Sequence, residues 1–467
     1  MTVMAADGEE LRRLVDVAFA GLAEGAAARG GPVPAGEPAD LARRVEEVLG
    51  DPLPGAGLGA APALRALAAL SASGAADPAD PRCAAHLHCP PLAVAVAADL
   101  VASVLNQSLD SWDQGPAATV LETRVVAALA GLAGYDPARA AGSVTSGGTE
   151  SNLMGLLLAR DRAGVPGLRV FCSELAHFSV QRSAAILGLG EPAVVPVPAD
   201  AAHRMDPAAL DQLMGRAANE PPAAVVATAG TTDFGSVDPL PEIAAVAAGH
   251  GAWLHVDAAY GGGALFSGRL RRLLDGLPEA DSVSLDLHKL GWQPIPAGVF
   301  LVREAATLQV LQRRVAYLNP IDDEEAGYTS LLGRSLRTSR RPDVLKIAVT
   351  LRALGRHGLG ELVDRCHDLA RHAAGRIAAH PWLELAADPV LTTVVFRYAA
   401  SSDPDRVNAA LRRRLLREGR AAVGRAEVGP ARSVHLKLTL LNPHATPADV
   451  VALLDDVVAA GAAEEQQ

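Results

Sequence analysis

The chain has 467 residues, of which 49% are hydrophobic and only 3% aromatic, and a formal net charge of −11. Its length calls for two or more domains, with cores built from Ala, Val and Leu rather than from rings. The acidic balance excludes a nucleic-acid binder, which would present a basic face, and argues against a membrane-surface role.

Residues 1–10 are acidic and lack the basic-then-apolar order of a signal peptide. An amphipathic helix is expected over Leu11–Ala28, a linker over Gly30–Pro38, and a second helix over Leu41–Leu49 before a Gly/Pro break at Pro52–Gly59. Leu92–Leu105 and Ala118–Leu132 read as helices flanking a loop, Asn106–Pro116. The apolar stretch Pro90–Leu105 is interrupted by Asp99 and is too short to span a bilayer, so a soluble protein is expected. From Gly142 to about Arg303 short apolar runs alternate with helical periods, the pattern of an α/β domain with a mainly parallel sheet. Helix resumes after Arg337 through Leu369. Leu391–Tyr398 and Ser433–Leu440 are the strands of a last α+β segment, and residues 461–467 are expected to fray. The four cysteines, Cys83, Cys89, Cys172 and Cys366, form no CxxC pair, which fits a reducing cytoplasm.

Four apolar runs end in polar residues. Leu168–Cys172 leads to His177, Ala223–Ala227 to Thr228, Ala252–Val256 to Asp257 and Ala259, and Ser282–Leu285 to His288 and Lys289. Ligands of an open α/β sheet bind beyond the carboxyl ends of its strands, so these residues should share one rim. TSGGTESN (145–152) opens a helix at the same place, and small residues at a helix N-terminus cradle phosphate. A phosphate cradle, a lysine, a carboxylate and a flat imidazole together suit a phosphorylated pyridine aldehyde. The lysine condenses with the aldehyde, the carboxylate keeps the ring nitrogen protonated, and the imidazole stacks on the ring.

These residues carry a resemblance. TSGGTESNLMGLLLAR (145–160), SELAHFSVQRSA (173–184), ATAGTTDFGSVDPL (227–240), WLHVDAAYGG (253–262) and DSVSLDLHK (281–289) resemble the group II pyridoxal 5′-phosphate (PLP) dependent amino-acid decarboxylases. That family includes the aromatic-amino-acid, glutamate and diaminobutyrate decarboxylases. The resemblance extends over roughly residues 81–443 and implies PLP fold type I. In that fold a large domain with a mainly parallel seven-stranded sheet is joined to a smaller C-terminal α+β domain. It implies divisions at 1–92, 93–346 and 347–467, and a cytoplasmic homodimer whose active sites lie at the subunit interface, with the N-terminal segment packed on the partner.

Carried over by position, the resemblance makes Lys289 the lysine bonded to the cofactor and Asp257 the partner of the pyridine nitrogen. His177 is the stacking residue, Gly148 and Thr149 are phosphate contacts, and Thr228, Ala259 and His288 lie near the cofactor. RVAYLNP (314–320) looks like the family's mobile loop, and Tyr317, 28 residues beyond Lys289, corresponds to the tyrosine that protonates the substrate carbon once carbon dioxide has left.

PRCAAHLHCPP (81–91) and LNQSLDSWDQGPAATVLE (105–122) look closest to the bacterial branch acting on diaminobutyrate, lysine and similar diamino acids. His86, His88 and Cys89 are expected at the substrate entrance or on its carboxylate. HLHC has no second Cys or His group nearby, so no metal is expected. Asp110, with Asp113 as second candidate, would receive a distal ammonium. Both carboxylates would serve equally as caps of loop turns. Asp80-Pro81, the LGWQPIPAG run after the lysine, and Leu436-Lys437-Leu438 depart from the family's habits and leave the side-chain pocket open. The alternatives are a decarboxylase of an aromatic or acidic amino acid, or an oxidative aldehyde-forming variant of the same fold. Such variants commonly lack the loop tyrosine, and Tyr317 is present.

Overall fold

In the computed structural model of the protein, the described residues are 4–164, 167–216 and 223–466. Helices Gly8–Arg29, Pro38–Leu49 and Ala60–Gly74 precede a two-residue strand, β1 (Cys83–Ala84). Helices Ala93–Leu105 and Pro116–Leu132 lead into β2 (Ala141–Thr145), β3 (Arg169–Ser173), β4 (Val194–Val197), β5 (Ala223–Thr228), β6 (Trp253–Ala258), β7 (Ser282–Asp286) and β8 (Gly298–Val302). The long helical stretch Val344–Ala378 is broken at Gly355 (φ 66°, ψ 178°). After it come β9 (Leu383–Leu385), β10 (Thr393–Tyr398), β11 (Ala422–Val428) and β12 (Ser433–Thr439), with helices Pro404–Arg417 and Pro447–Glu465.

The chain divides into two compact units. One comprises the chain up to Pro90, Asp368–Asp388 and the chain from Thr392 onward; the other comprises Pro91–His367 and Pro389–Leu391. The second unit holds the expected seven-stranded sheet, in the order β2-β8-β7-β6-β5-β3-β4. Neighbours from β4 through β7 run parallel, whereas β8 lies antiparallel to both β7 and β2. β2, β6, β7 and β8 are buried at every position. Continuous burial marks strands covered on both faces, which is why these runs read as uninterrupted apolar stretches rather than as alternation.

The first unit is built on a five-stranded sheet, β1-β11-β12-β10-β9, with a core that includes Phe396, Leu411, Leu436 and Leu453. Helix Ala60–Gly74 was not anticipated, because its Ala-rich run buries little beyond Ser73. Its partner helix Gly8–Arg29 approaches it at Gly21 and Gly25, where an added Cβ would come within 2.7 and 2.2 Å of backbone oxygens of Arg65 and Ala69. β4, β9 and β11 were also unforeseen, being short or interrupted by charge.

The expected fraying from residue 461 is overturned. The last helix continues to Glu465, and Gly461 is buried against the Tyr398 ring, where a Cβ would meet ring carbons at 2.6 Å. Tyr398 Oη donates to Glu465 Oε2 (3.0 Å), and Arg414 Nε reaches Glu464 Oε1 (2.5 Å). Tertiary partners thus hold a terminus that composition alone would leave loose. Gln467 lies outside the described residues.

Candidate active site

β-strand side chains alternate between faces, so Ser282, Ser284 and Asp286 share one face of β7, as His255 and Asp257 share one face of β6. The register sets Thr228 opposite Asp257 and Asp257 opposite Ser284. A polar stripe therefore crosses an otherwise apolar sheet towards the rim where the parallel strands end. Helix Gly148–Ala163 lies over it with Gly148, Asn152 and Gly155 on one side. A Cβ at Gly155 would fall 2.6 Å from His255 Nδ1, and one at Gly148 would fall 2.7 Å from the Ala259 Cβ and 3.3 Å from Asp286 Oδ2. Glycine at both positions is what lets the helix start so close to the strands.

Asp257 is buried (6% exposed) and fully furnished with donors. Asn152 Nδ2 donates to its Oδ2 (2.7 Å), while the Ala259 N–H (3.0 Å) and Ser284 Oγ (3.1 Å) donate to its Oδ1. Three donors fix the orientation of this buried carboxylate. Lys289 Nζ lies 2.8 Å from Asp286 Oδ2, and His288 Nε2 stands 3.5 Å from the same oxygen. Burial holds both the His288 and the His177 imidazoles below their usual pKa, with Asp286 and Asp257 respectively opposing that shift. His177 Nδ1 is 2.8 Å from Ser179 Oγ, which also receives Asn152 Nδ2 (2.9 Å).

The structure brings Gly148, Thr149, His177, Thr228, Asp257, Ala259, His288 and Lys289 to the ends of neighbouring strands and the helix start beside them. Two buried oxygens at these strand ends, Thr228 Oγ1 and the neighbouring Asp286 Oδ1, have no hydrogen-bond partner among the described residues. Unpartnered polar atoms beside a glycine-opened helix start, a lysine and a buried carboxylate fit a flat, phosphorylated, electrophilic group.

Tyr317 is not brought to Lys289 within this chain. It is 80% exposed and lines a cavity of about 370 Å³ with Leu157, Arg160, Asp161 and Arg337. Asp110 is buried and accepts from Gln114 Nε2 (2.9 Å), whereas Asp113 is exposed and accepts from Ser111 Oγ (2.6 Å). His86, His88 and Cys89 belong to the first unit, beyond β1. Burial lowers the His86 pKa, and Lys437, Arg412 and His88 lower it further. Among the described residues no cluster of three or more His, Cys, Asp or Glu is arranged to hold a metal.

Sequence reasoning missed Asn152, Ser179, His255, Ser282 and Ser284, and quoted Asp286 without a role. The visible signal was the alternation of polar residues inside β6 and β7, strands otherwise wholly apolar.

The model of the pyridoxal-dependent decarboxylase conserved domain matches residues 69–399. The chain belongs to the pyridoxal-dependent decarboxylase family. Membership makes PLP its cofactor and amino-acid decarboxylation its reaction. An L-2,4-diaminobutyrate decarboxylase of Rhizobium meliloti (strain 1021) is 46% identical over 87% of this chain and 83% of its own length. A protein of the same description from Acinetobacter baumannii is 39% identical over 80% of this chain and 79% of its own. The Vibrio parahaemolyticus crystal structure described as the glutamate decarboxylase domain of diaminobutyrate-pyruvate transaminase and L-2,4-diaminobutyrate decarboxylase superposes with a TM-score of 0.87. It is 34% identical, over 97% of this chain and 96% of that one.

Proposed function

We propose that this decarboxylase acts on a diamino acid, 2,4-diaminobutyrate before ornithine or lysine, releasing carbon dioxide and the corresponding diamine. The observation that carries the reading is the 46% identity, over most of both chains, to a relative described as acting on that substrate. Asp110 supports it. It is a buried carboxylate with an amide partner and no ion pair among the described residues, so it retains the capacity to receive a distal ammonium. His86, His88 and Cys89 are proposed as contacts for the rest of the substrate.

When bound, PLP supplies an aldehyde that condenses with amines and a ring that accepts the electron pair left by departing carbon dioxide. The chain's own residues are proposed to do the following. Lys289 would provide the amine that holds the cofactor. Asp257, held in place by its three donors, would pair with the pyridine nitrogen. His177 stacks on the ring. Gly148 and Thr149 hold the phosphate at the helix start, with Thr228, Ala259 and His288 around the ring and its lysine. Tyr317 delivers a proton to the substrate carbon from a segment that also excludes water.

The working unit is proposed to be a cytoplasmic homodimer with shared active sites and residues 1–92 packed on the partner. Helix Ala93–Leu105 leaves Val96, Leu100, Val101, Val104 and Leu105 exposed, an apolar surface that suits a subunit interface.

The test is an amine-product screen of purified, PLP-loaded protein against the common amino acids with diaminobutyrate and ornithine added. The diamine from diaminobutyrate should dominate; tryptamine, tyramine or γ-aminobutyrate in its place would refute the substrate. Borohydride reduction and peptide mapping on the same sample should tag Lys289, and a tag elsewhere would refute the assignment of the attaching lysine.

A further inference from the structure

An amide side chain has two chemically different ends, and around Asn152 the partners decide which end faces which. The indole N–H of Trp253 can only donate, and it reaches Ser282 Oγ at 3.1 Å. Ser282 Oγ lies 2.8 Å from His255 Nδ1, and His255 Nε2 lies 2.9 Å from Asn152 Oδ1. With the indole donating to it, the Ser282 hydroxyl is free to donate to Nδ1, which leaves the imidazole proton on Nε2 to donate to Asn152 Oδ1. The Asn152 NH2 then faces two acceptors, Asp257 Oδ2 at 2.7 Å and Ser179 Oγ at 2.9 Å. Ser179 passes its own proton to His177 Nδ1 at 2.8 Å, with its backbone N–H directed at the same nitrogen at 3.3 Å. Reversing the amide would set its oxygen against the Asp257 carboxylate at 2.7 Å, acceptor against acceptor. Every donor has an acceptor in only one direction.

The relay is also dry. Trp253, Ser282, His255, Asn152 and Ser179 are all buried, so water does not compete for these bonds and an unmet partner would be costly. Burial favours the neutral form of His255, which the relay needs because a doubly protonated ring could not accept from Ser282.

We infer that Asn152 is the positioning residue of this site, orienting Asp257 and His177 through the two hydrogens of one amide, and that His255 fixes the direction in which that amide faces. The inference rests on the proposed roles of Asp257 and His177 towards the cofactor. One side chain thereby holds the ring-nitrogen partner in place, and makes His177 Nδ1 an acceptor, leaving its proton on Nε2.

A double-mutant cycle on cofactor affinity tests this, with PLP titrated into the cofactor-free full-length chain and followed by protein fluorescence. Asn152→Leu should weaken binding by about tenfold or more, the scale of one hydrogen bond to a charged group. Asp257→Ala should weaken it further, and Asn152→Leu added to Asp257→Ala should cost clearly less than Asn152→Leu alone, because the arm through Asp257 is already gone and only the arm through Ser179 to His177 remains. A purely structural Asn152 would show independent, additive losses, and that result overturns the inference while leaving the role of Asp257 intact. Unchanged affinity in Asp257→Ala would sink both. Should Asn152→Leu not fold, 15N NMR of the histidine rings in the unaltered protein decides, with His255→Gln assigning the signal. The expected state is a neutral His255 ring protonated at Nε2 from pH 6 to 8, and a proton on Nδ1 overturns the relay.

Discussion

Arg340 Nη1 closes on Glu122 Oε1 at 2.5 Å across 218 residues of chain, with each side chain only 2% exposed. The same guanidinium nitrogen donates to Val144 O (3.1 Å), and Glu122 Oε1 accepts from Val144 N (3.2 Å). The pair therefore clamps β2 near its carboxyl end, just before the glycine-opened helix start. A buried pair stripped of one member leaves an uncompensated charge, at a cost on the order of 3–5 kcal/mol. Arg340→Leu should lower the midpoint of thermal unfolding by several degrees, and Glu122→Leu combined with Arg340→Met should restore much of the loss. A single variant as stable as the parent would show that the pair contributes nothing.

Gly148→Ala should leave the protein folded but poorly loaded. Its methyl would press on Ala259 and Asp286 at the mouth of the helix, displacing the backbone N–H groups proposed to meet the phosphate. The dissociation constant for PLP should rise at least about tenfold while the circular dichroism spectrum stays unaltered. Parental affinity would place the phosphate elsewhere.

Asp257→Asn keeps the shape of the side chain and removes its charge. Turnover should drop on the order of 10³-fold, about 4 kcal/mol in the barrier, with a far smaller change in KM. Stopped-flow measurement of carbon dioxide release reads this directly. Near-parental turnover would argue that the ring nitrogen needs no anion here.

Tyr317→Phe removes the proposed proton donor without touching the cofactor group. Amine formation should fall steeply, and oxygen uptake with aldehyde and ammonia as products should rise above the parent's. Unimpaired amine formation would return Tyr317 to an ordinary packing role.

Asp238 supplies a pH signature. It is 2% exposed and accepts from the backbone N–H groups of Thr228 and Met205, both at 2.7 Å. Burial pushes its pKa up to about 6 against the opposing pull of those two donors. Its folded-state pKa lies above the unfolded value, so the folded state binds the proton more tightly. The stability this group lends is full below about pH 4 and is lost as pH rises to about 6, on the order of 3 kcal/mol at most. A 13C titration of the Asp238 carboxyl should show its midpoint near 6; a midpoint below 4 would contradict the shift.

The convergence of Asp257, Lys289, His177 and Thr228 was legible because strand ends in a parallel sheet meet at one rim. Asn152 and His255 were not, because a helix face and a strand face meet only after packing, and a histidine inside an apolar run looks like core. The turn around Asp110 was read as a site or a cap; its carboxylate meets the side chain of Gln114, a contact that depends on how the turn folds. Helix Ala60–Gly74 escaped because glycine-to-alanine contact replaces the apolar stripe that periodicity detects.

The reversed direction of β8 has a consequence for the timing of the reaction. Gly298 pairs with Asp286 at the ligand rim, but Val302 pairs with Ser282 at the far one, so the chain leaves the sheet on the side away from Lys289. The segment bearing Tyr317 begins its excursion there, and for Tyr317 to play its proposed role the segment must travel around the sheet's border or serve a second molecule's pocket. Specific activity would be independent of dilution in the first case and would decay on dilution in the second. A plain dilution series therefore tells whether the proposed proton donor acts from within or from a neighbour.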